Sequence, residues 1–168
     1  TFTSVLDHIL ENYEDGEGHT VPSTFYNRSG LKISAGKHTD DYELDFLLGS
    51  RNTNESGTPA LAMDITFVDS LWYKLRFAKD IGESWRANIK VFGNQNEHVM
   101  NNFELRTAPM LAGFRENTVD SEALGADIDL VQSTNDINLW KLGANLYSQR
   151  HNSTITNPNN ASFFINNF

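Results

Sequence analysis

Apolar residues recur at every second position through most of this chain. From Trp85 to Val91 the apolar set is Trp85, Ala87, Ile89 and Val91, with Arg86, Asn88 and Lys90 between them. A period of two sends such sets to opposite faces of a β-strand. The same template returns in Leu31, Ile33 and Ala35, in Tyr42, Leu44, Phe46 and Leu48, and in Tyr73, Leu75 and Phe77. It returns again in Leu124, Ala126, Ile128 and Leu130, and in Trp140, Leu142, Ala144 and Leu146. Val5, Leu6, Ile9, Leu10 and Tyr13 suit a helical face as well as a strand, and their strand neighbours favour a strand. Phe163 to Phe168 has the composition of a strand beginning.

Two kinds of connection alternate between these segments. His38-Thr39-Asp40-Asp41, Asp80-Ile81-Gly82-Glu83 and Ser133-Thr134-Asn135-Asp136 are short and rich in turn formers. Longer polar stretches run from Glu14 to Ser23, Asn52 to Thr66, Asn101 to Glu116 and Gln149 to Asn160. Antiparallel neighbours reverse at every connection, so short turns gather at one end of the sheet and long loops at the other. Outer-membrane barrels have that asymmetry. The pattern predicts an all-β fold, an antiparallel up-and-down transmembrane β-barrel segment. As a fragment it would be a curved open sheet of about seven strands with an uncovered apolar face, prone to aggregate in water. Tyr42, Trp85 and Trp140 near the short turns, and Trp72, Tyr73 and Tyr147 nearer the long loops, would form two aromatic girdles. The alternative is a soluble β-sandwich or lipocalin-like binding protein, whose alternation points into a dry core. A charge or amide on the polar face of nearly every strand favours a wet lumen.

Charge narrows the partners. The net charge is −9 and the pI about 4.9, so a phosphate backbone is repelled and no nucleic acid is expected, whereas a cation suits. There is no Cys, which excludes disulfides, thiolate metal sites and cysteine nucleophiles within these 168 residues. No run approaches the ~18 apolar residues of a membrane helix, which leaves a barrel open because its strands are short and half polar. The chain opens at Thr1 without a signal peptide, as a mature or truncated product would.

His98-Val99-Met100 is the sharpest local feature. Extending the Trp85 alternation puts His98 and Met100 together on the polar face if no bulge intervenes. An imidazole with a thioether is a soft pair suited to copper, Cu(I) above all. Met63 and Met110, and also His19 and His151, fall in long loops at the same end. The plainer reading of this spacing is a His and a Met at a strand end with no ligand. Asp127 and Asp129 are a same-face carboxylate pair, read as lumen polarity before acid–base or cation chemistry. Glu14 to His19 resembles a calcium loop only loosely and lacks its ligand spacing. No phosphate loop, zinc-protease motif or nucleophile elbow is present, so no enzyme activity is expected.

Three blocks resemble TonB-dependent outer-membrane receptors, and among them the copper receptors. They are Tyr13 to Gly18 leading to Val21-Pro22-Ser23, then Pro59 to Asp64, and His98-Val99-Met100-Asn101-Asn102 followed by Leu105-Arg106. The resemblance runs from Tyr13 to about Val131. It implies His98 and Met100 as metal ligands, Met63 as a possible addition, and copper ion as transported cargo with Cu(I) favoured. It also implies a bacterial outer-membrane location, contact with membrane lipid or lipopolysaccharide, and a TonB system acting through a plug domain. Residues 1–168 would then be a partial barrel domain lacking its plug and the rest of a wall of ~22 strands. Copper receptors complete the site with Cys and Met from the plug, which this chain does not contain. The family usually has Met-Asp-Asn where this chain has Met100-Asn101-Asn102. A TonB-dependent receptor for a siderophore or other metal chelate is the nearest alternative.

Overall fold

In the computed structural model, which describes residues 1–133 and 139–167, eight strands pair strictly in chain order into one antiparallel sheet. They are β1 (Phe2–Leu10), β2 (Tyr26–His38), β3 (Tyr42–Ser56), β4 (Asp64–Ile81), β5 (Trp85–Asn101), β6 (Glu116–Ser133), β7 (Leu139–Thr156) and β8 (Phe164–Asn167). Among the described residues, strand contacts run only between sequence neighbours, so the sheet is open, with β1 and β8 as its edges and no strand packed across either face. The count exceeds the seven or so predicted because Phe164–Asn167 already pairs with Ser153–Thr156. The ambiguous first segment is a strand: Phe2 to Leu10 pair in unbroken register with Ser34 to Tyr26, so β2 finds partners there for its backbone.

Residues directly opposed across a ladder share a face, and the register therefore defines rows. One row runs Ala35, Phe46, Leu75, Val91, Ala126, Leu146, and the next runs Leu44, Phe77, Ile89, Ile128, Ala144. These belong to a continuous apolar face on which Leu142 and Leu146 are more than 70% exposed, at 73% and 72%. The opposite face carries the row Asp45, Arg76, Lys90, Asp127, Asn145. Arg76 Nη1 donates to Asp45 and Glu43 at 2.9 Å each, Lys90 pairs with Asp127, and Arg86 Nη2 meets Glu43 at 2.6 Å.

β4 to β7 are 17 to 18 residues long. That outlasts the ~9–11 residues of a bilayer-crossing strand. Toward the long connections the apolar face gives way to the row Asn52, Asp69, Glu97, Asp120, Asn152, so both faces there are polar. Much of what the sequence pattern gave to loops is therefore ladder. The connections at residues 57–63, 102–115 and 157–163 are shorter than the pattern gave, whereas the first, residues 11–25, is longer. Of the short turns, Thr39 closes the first through its N–H to Tyr42 O at 2.9 Å, and Gly82 supplies a φ of +65° in the second. The third lies outside the described residues beyond Ser133.

The aromatic girdles hold in part. Tyr42, Tyr73, Trp85 and Trp140 fall on the apolar face, but Trp72 lies opposite Gly49 and Tyr147 opposite Gly125, on the polar face. Period two decides this: Trp72 and Tyr73 are adjacent and cannot share a side. The Trp72 ring instead packs against Gly49, where an added Cβ would collide with it, with the Arg51 guanidinium 5.7 Å from its centroid.

Candidate metal site at the long-loop rim

β5 pairs with β6 without a break from Trp85 opposite Gln132 to Asn101 opposite Glu116. Period two therefore holds to the end of β5, and His98 and Met100 share the polar face as the spacing predicts. Val68 and Val119 stand opposite His98, and Ile65 and Asn117 opposite Met100. Both residues are partly buried. They lie past the apolar band, level with Glu97, where neither face is greasy. Burial, and then the charge of His151, lower the His98 pKa below the ordinary imidazole value. The neutral ring, which is the metal-ligating form, thus prevails at neutral pH.

The other candidates are dispersed around this rim. His151 is a residue of β7 rather than of a loop, opposite Ser121 on the polar face, and it is the titratable neighbour of His98 that the sequence pattern hid. Met63 sits in the 57–63 connection, partly buried, its carbonyl accepting the Thr58 hydroxyl. Met110 is 86% exposed, just before the 3-10 helix Leu111–Gly113. His19 is held in its own turn by Asp15 at 3.4 Å and Glu17 at 3.8 Å. Asp15 Oδ1 accepts the N–H groups of His19 and Glu17 at 2.8 and 2.9 Å, and those backbone bonds, from His19 first, hold its carboxyl below the usual range. Glu14 to His19 is thus a self-satisfied hairpin tip.

Asp64 organises the rim. Its side chain is fully buried, and Arg106 grips it with two bonds, Nε to Oδ2 at 2.9 Å and Nη2 to Oδ1 at 2.5 Å. The Thr58 N–H donates to Oδ1 at 2.8 Å and the Ser23 hydroxyl to Oδ2 at 3.2 Å. Arg106 Nη1 also donates to Leu61 O at 2.8 Å. Desolvation alone would raise the Asp64 pKa, yet the Arg106 bonds, the Thr58 N–H and the guanidinium charge together hold it below the usual value. Ser23, Asp64 and Arg106 each come from one of the three resembling blocks, and here they touch.

Asn101 stands opposite Asp64. Its Nδ2 donates to Thr66 Oγ1 at 3.1 Å, while its Oδ1 accepts the N–H groups of Phe103 and Glu104 at 3.2 and 3.0 Å. Beyond it, Asn102 bonds Gly113 O and the Arg115 N–H, and Phe103 stacks on Phe114 at 4.6 Å, so the 102–115 connection is built rather than loose.

Two carboxylate groupings are already occupied by protein cations. Asp127 holds Lys90 and Asn145, and Asp129 meets Lys141 at 3.2 Å, so both carboxylates of the pair have protein partners on the polar face. His38, Glu43 and Asp45 bring three ligand atoms within 4.8 Å of one another. Arg76 and Arg86 already bind both carboxylates there, and the group offers no soft donor, so it fits copper poorly.

No protein-family model matches the sequence, and no curated protein matches it. Solved structures do match by fold. One is described as "Copper transporter OprC", which superposes with a TM-score of 0.80 over 91% of this chain at 22% sequence identity. This chain spans 24% of that one, about a quarter of its length. At such identity the likeness establishes the fold, a run of consecutive antiparallel strands that in the longer protein forms part of a larger body.

Proposed function

We propose that this chain is a stretch of barrel wall from a TonB-dependent outer-membrane receptor that takes up copper ions. The apolar face meets lipid, the ion-paired face lines the lumen, and the long-loop end opens outward. The observation that carries the reading is the placement of His98 and Met100 on one face of an unbulged strand at that rim. The fold likeness to a copper transporter supports it. An imidazole and a thioether form a soft donor pair, which suits Cu(I) and would attract calcium or magnesium little. The net charge of −9 favours a bare cation over an anionic chelate. The protein does no covalent chemistry in this reading. It captures the ion at the rim, and a plug domain driven by the TonB system admits it.

The test uses the intact receptor in outer membranes. Met100→Leu keeps the side-chain volume and removes the sulfur, and it is expected to abolish or sharply weaken copper retention measured by elemental analysis. Copper content equal to the parent's would overturn the assignment.

A further inference from the structure

His151 lies on the same face as His98, two strands away and one ladder row nearer the apolar band. His98 stands opposite Val119 and Val119 opposite Ser153, whereas His151 stands opposite Ser121 and Ser121 opposite Asn96. Spacings of ~4.8 Å between strands and ~3.4 Å per residue put the two Cα atoms about 12 Å apart. Two extended imidazoles can hold one ion across that span, each nitrogen about 2 Å from the metal. Met100 lies one row on the other side of His98, about 17 Å from His151 by the same spacings, which is too far for a shared ion. His151 is near enough to His98 for its charge to act on that ring. Between them stands Val119, only 5% exposed, beside Ser121. From β4 to β7 neither row holds a carboxylate, its other members being Val68, Ser70, Asn96 and Ser153. The ground between the imidazoles therefore suits an imidazole-preferring ion and offers little to calcium or magnesium.

We propose that His98 and His151 form a second, two-imidazole site one row below the His98–Met100 pair, which takes the copper ion next on its way into the lumen. This rests on the copper reading above and adds a step to it. The step is a ligand exchange: the Met100 thioether leaves as the His151 imidazole binds, His98 stays bound, and the ion remains Cu(I). In that reading the wall is concave on its polar side, so the two rings lean toward each other. His98 is the pivot, and the ion keeps a protein donor between the rim and the deeper row.

The experiment takes the intact receptor and makes two measurements. The first uses Cu(II), which favours imidazole over thioether, and counts bound nitrogens from the splitting of its electron paramagnetic resonance. The second is copper uptake into cells under reducing conditions. Met100→Leu is expected to keep a signal from two coupled imidazoles. Adding His151→Gln is expected to remove one of them and to weaken Cu(II) binding by about ten-fold or more. With Met100 in place, His151→Gln is expected to lose most of the uptake, and His151→Met, which returns a soft donor, to recover it. A nitrogen count unchanged by His151→Gln would overturn the proposal, as would uptake equal to the parent's in that variant, or uptake in His151→Met no better than in His151→Gln. His151 is exposed, so neither replacement opens a core, and heat-modifiable migration checks assembly. His98→Ala and Met100→Leu in the same series separate the two claims. Unchanged copper retention in both ends the copper reading, whereas lost retention there beside parent-like uptake in His151→Gln ends only the second site.

Discussion

Asp64 carries its charge where solvent does not reach, and every oxygen of its carboxylate is engaged. Its folded pKa is depressed, so its contribution is complete above the unfolded carboxylate value of ~3.9 and is lost as pH falls through the lower folded value. Protection of the 102–115 connection from protease is therefore expected to be flat across neutral and mildly acidic pH and to fail only below about pH 4. Loss of protection near pH 6 would point to a histidine holding the rim. Removing one partner of a pair this buried costs on the order of 3 kcal/mol, enough to open the loops locally. None of this was legible in the sequence. Asp64 and Arg106 are 42 positions apart, and no spacing rule joins a strand start to a loop residue at that distance. The His98–Met100 pairing was legible, because it needs only period two and an uninterrupted ladder.

The strands were legible where one face is greasy. Tyr73, Leu75 and Phe77 alternate with charged residues, and the ladder there follows the pattern. Nearer the rim, Asp69, Glu97 and Asp120 point one way while Ser70, Asn96 and Ser121 point the other. With water on both sides the alternation has nothing to record, so the same strands looked like loops. The register shifts between Tyr26 and Arg28 and between Ile65 and Phe67 were hidden as well, because both faces are polar beyond them and no greasy side records the slip. A charge placed on the apolar face tests the boundary between the two regimes. In the intact receptor, Leu75→Arg is expected to destabilise by about 2–4 kcal/mol, and Gln95→Arg by about 0–1 kcal/mol. Both are read from folding titrations into lipid vesicles, and equal costs would contradict a band that ends before Gln95.

At the scale of the molecule, the long strands separate two environments. Their lower parts carry the apolar rows and the ion-paired ladder of Arg76, Lys90 and Asp127, and their upper parts carry His98 and Met100 on a sheet polar on both sides. In the proposed reading, bilayer thickness governs how the wall is seated, and the spacing of His98 and Met100 is set by the β5–β6 ladder above the apolar band. Exchanging short-chain for long-chain phospholipids should alter the rate of insertion and leave copper retention the same. Retention that tracked acyl length would mean that the donors ride at the lipid boundary.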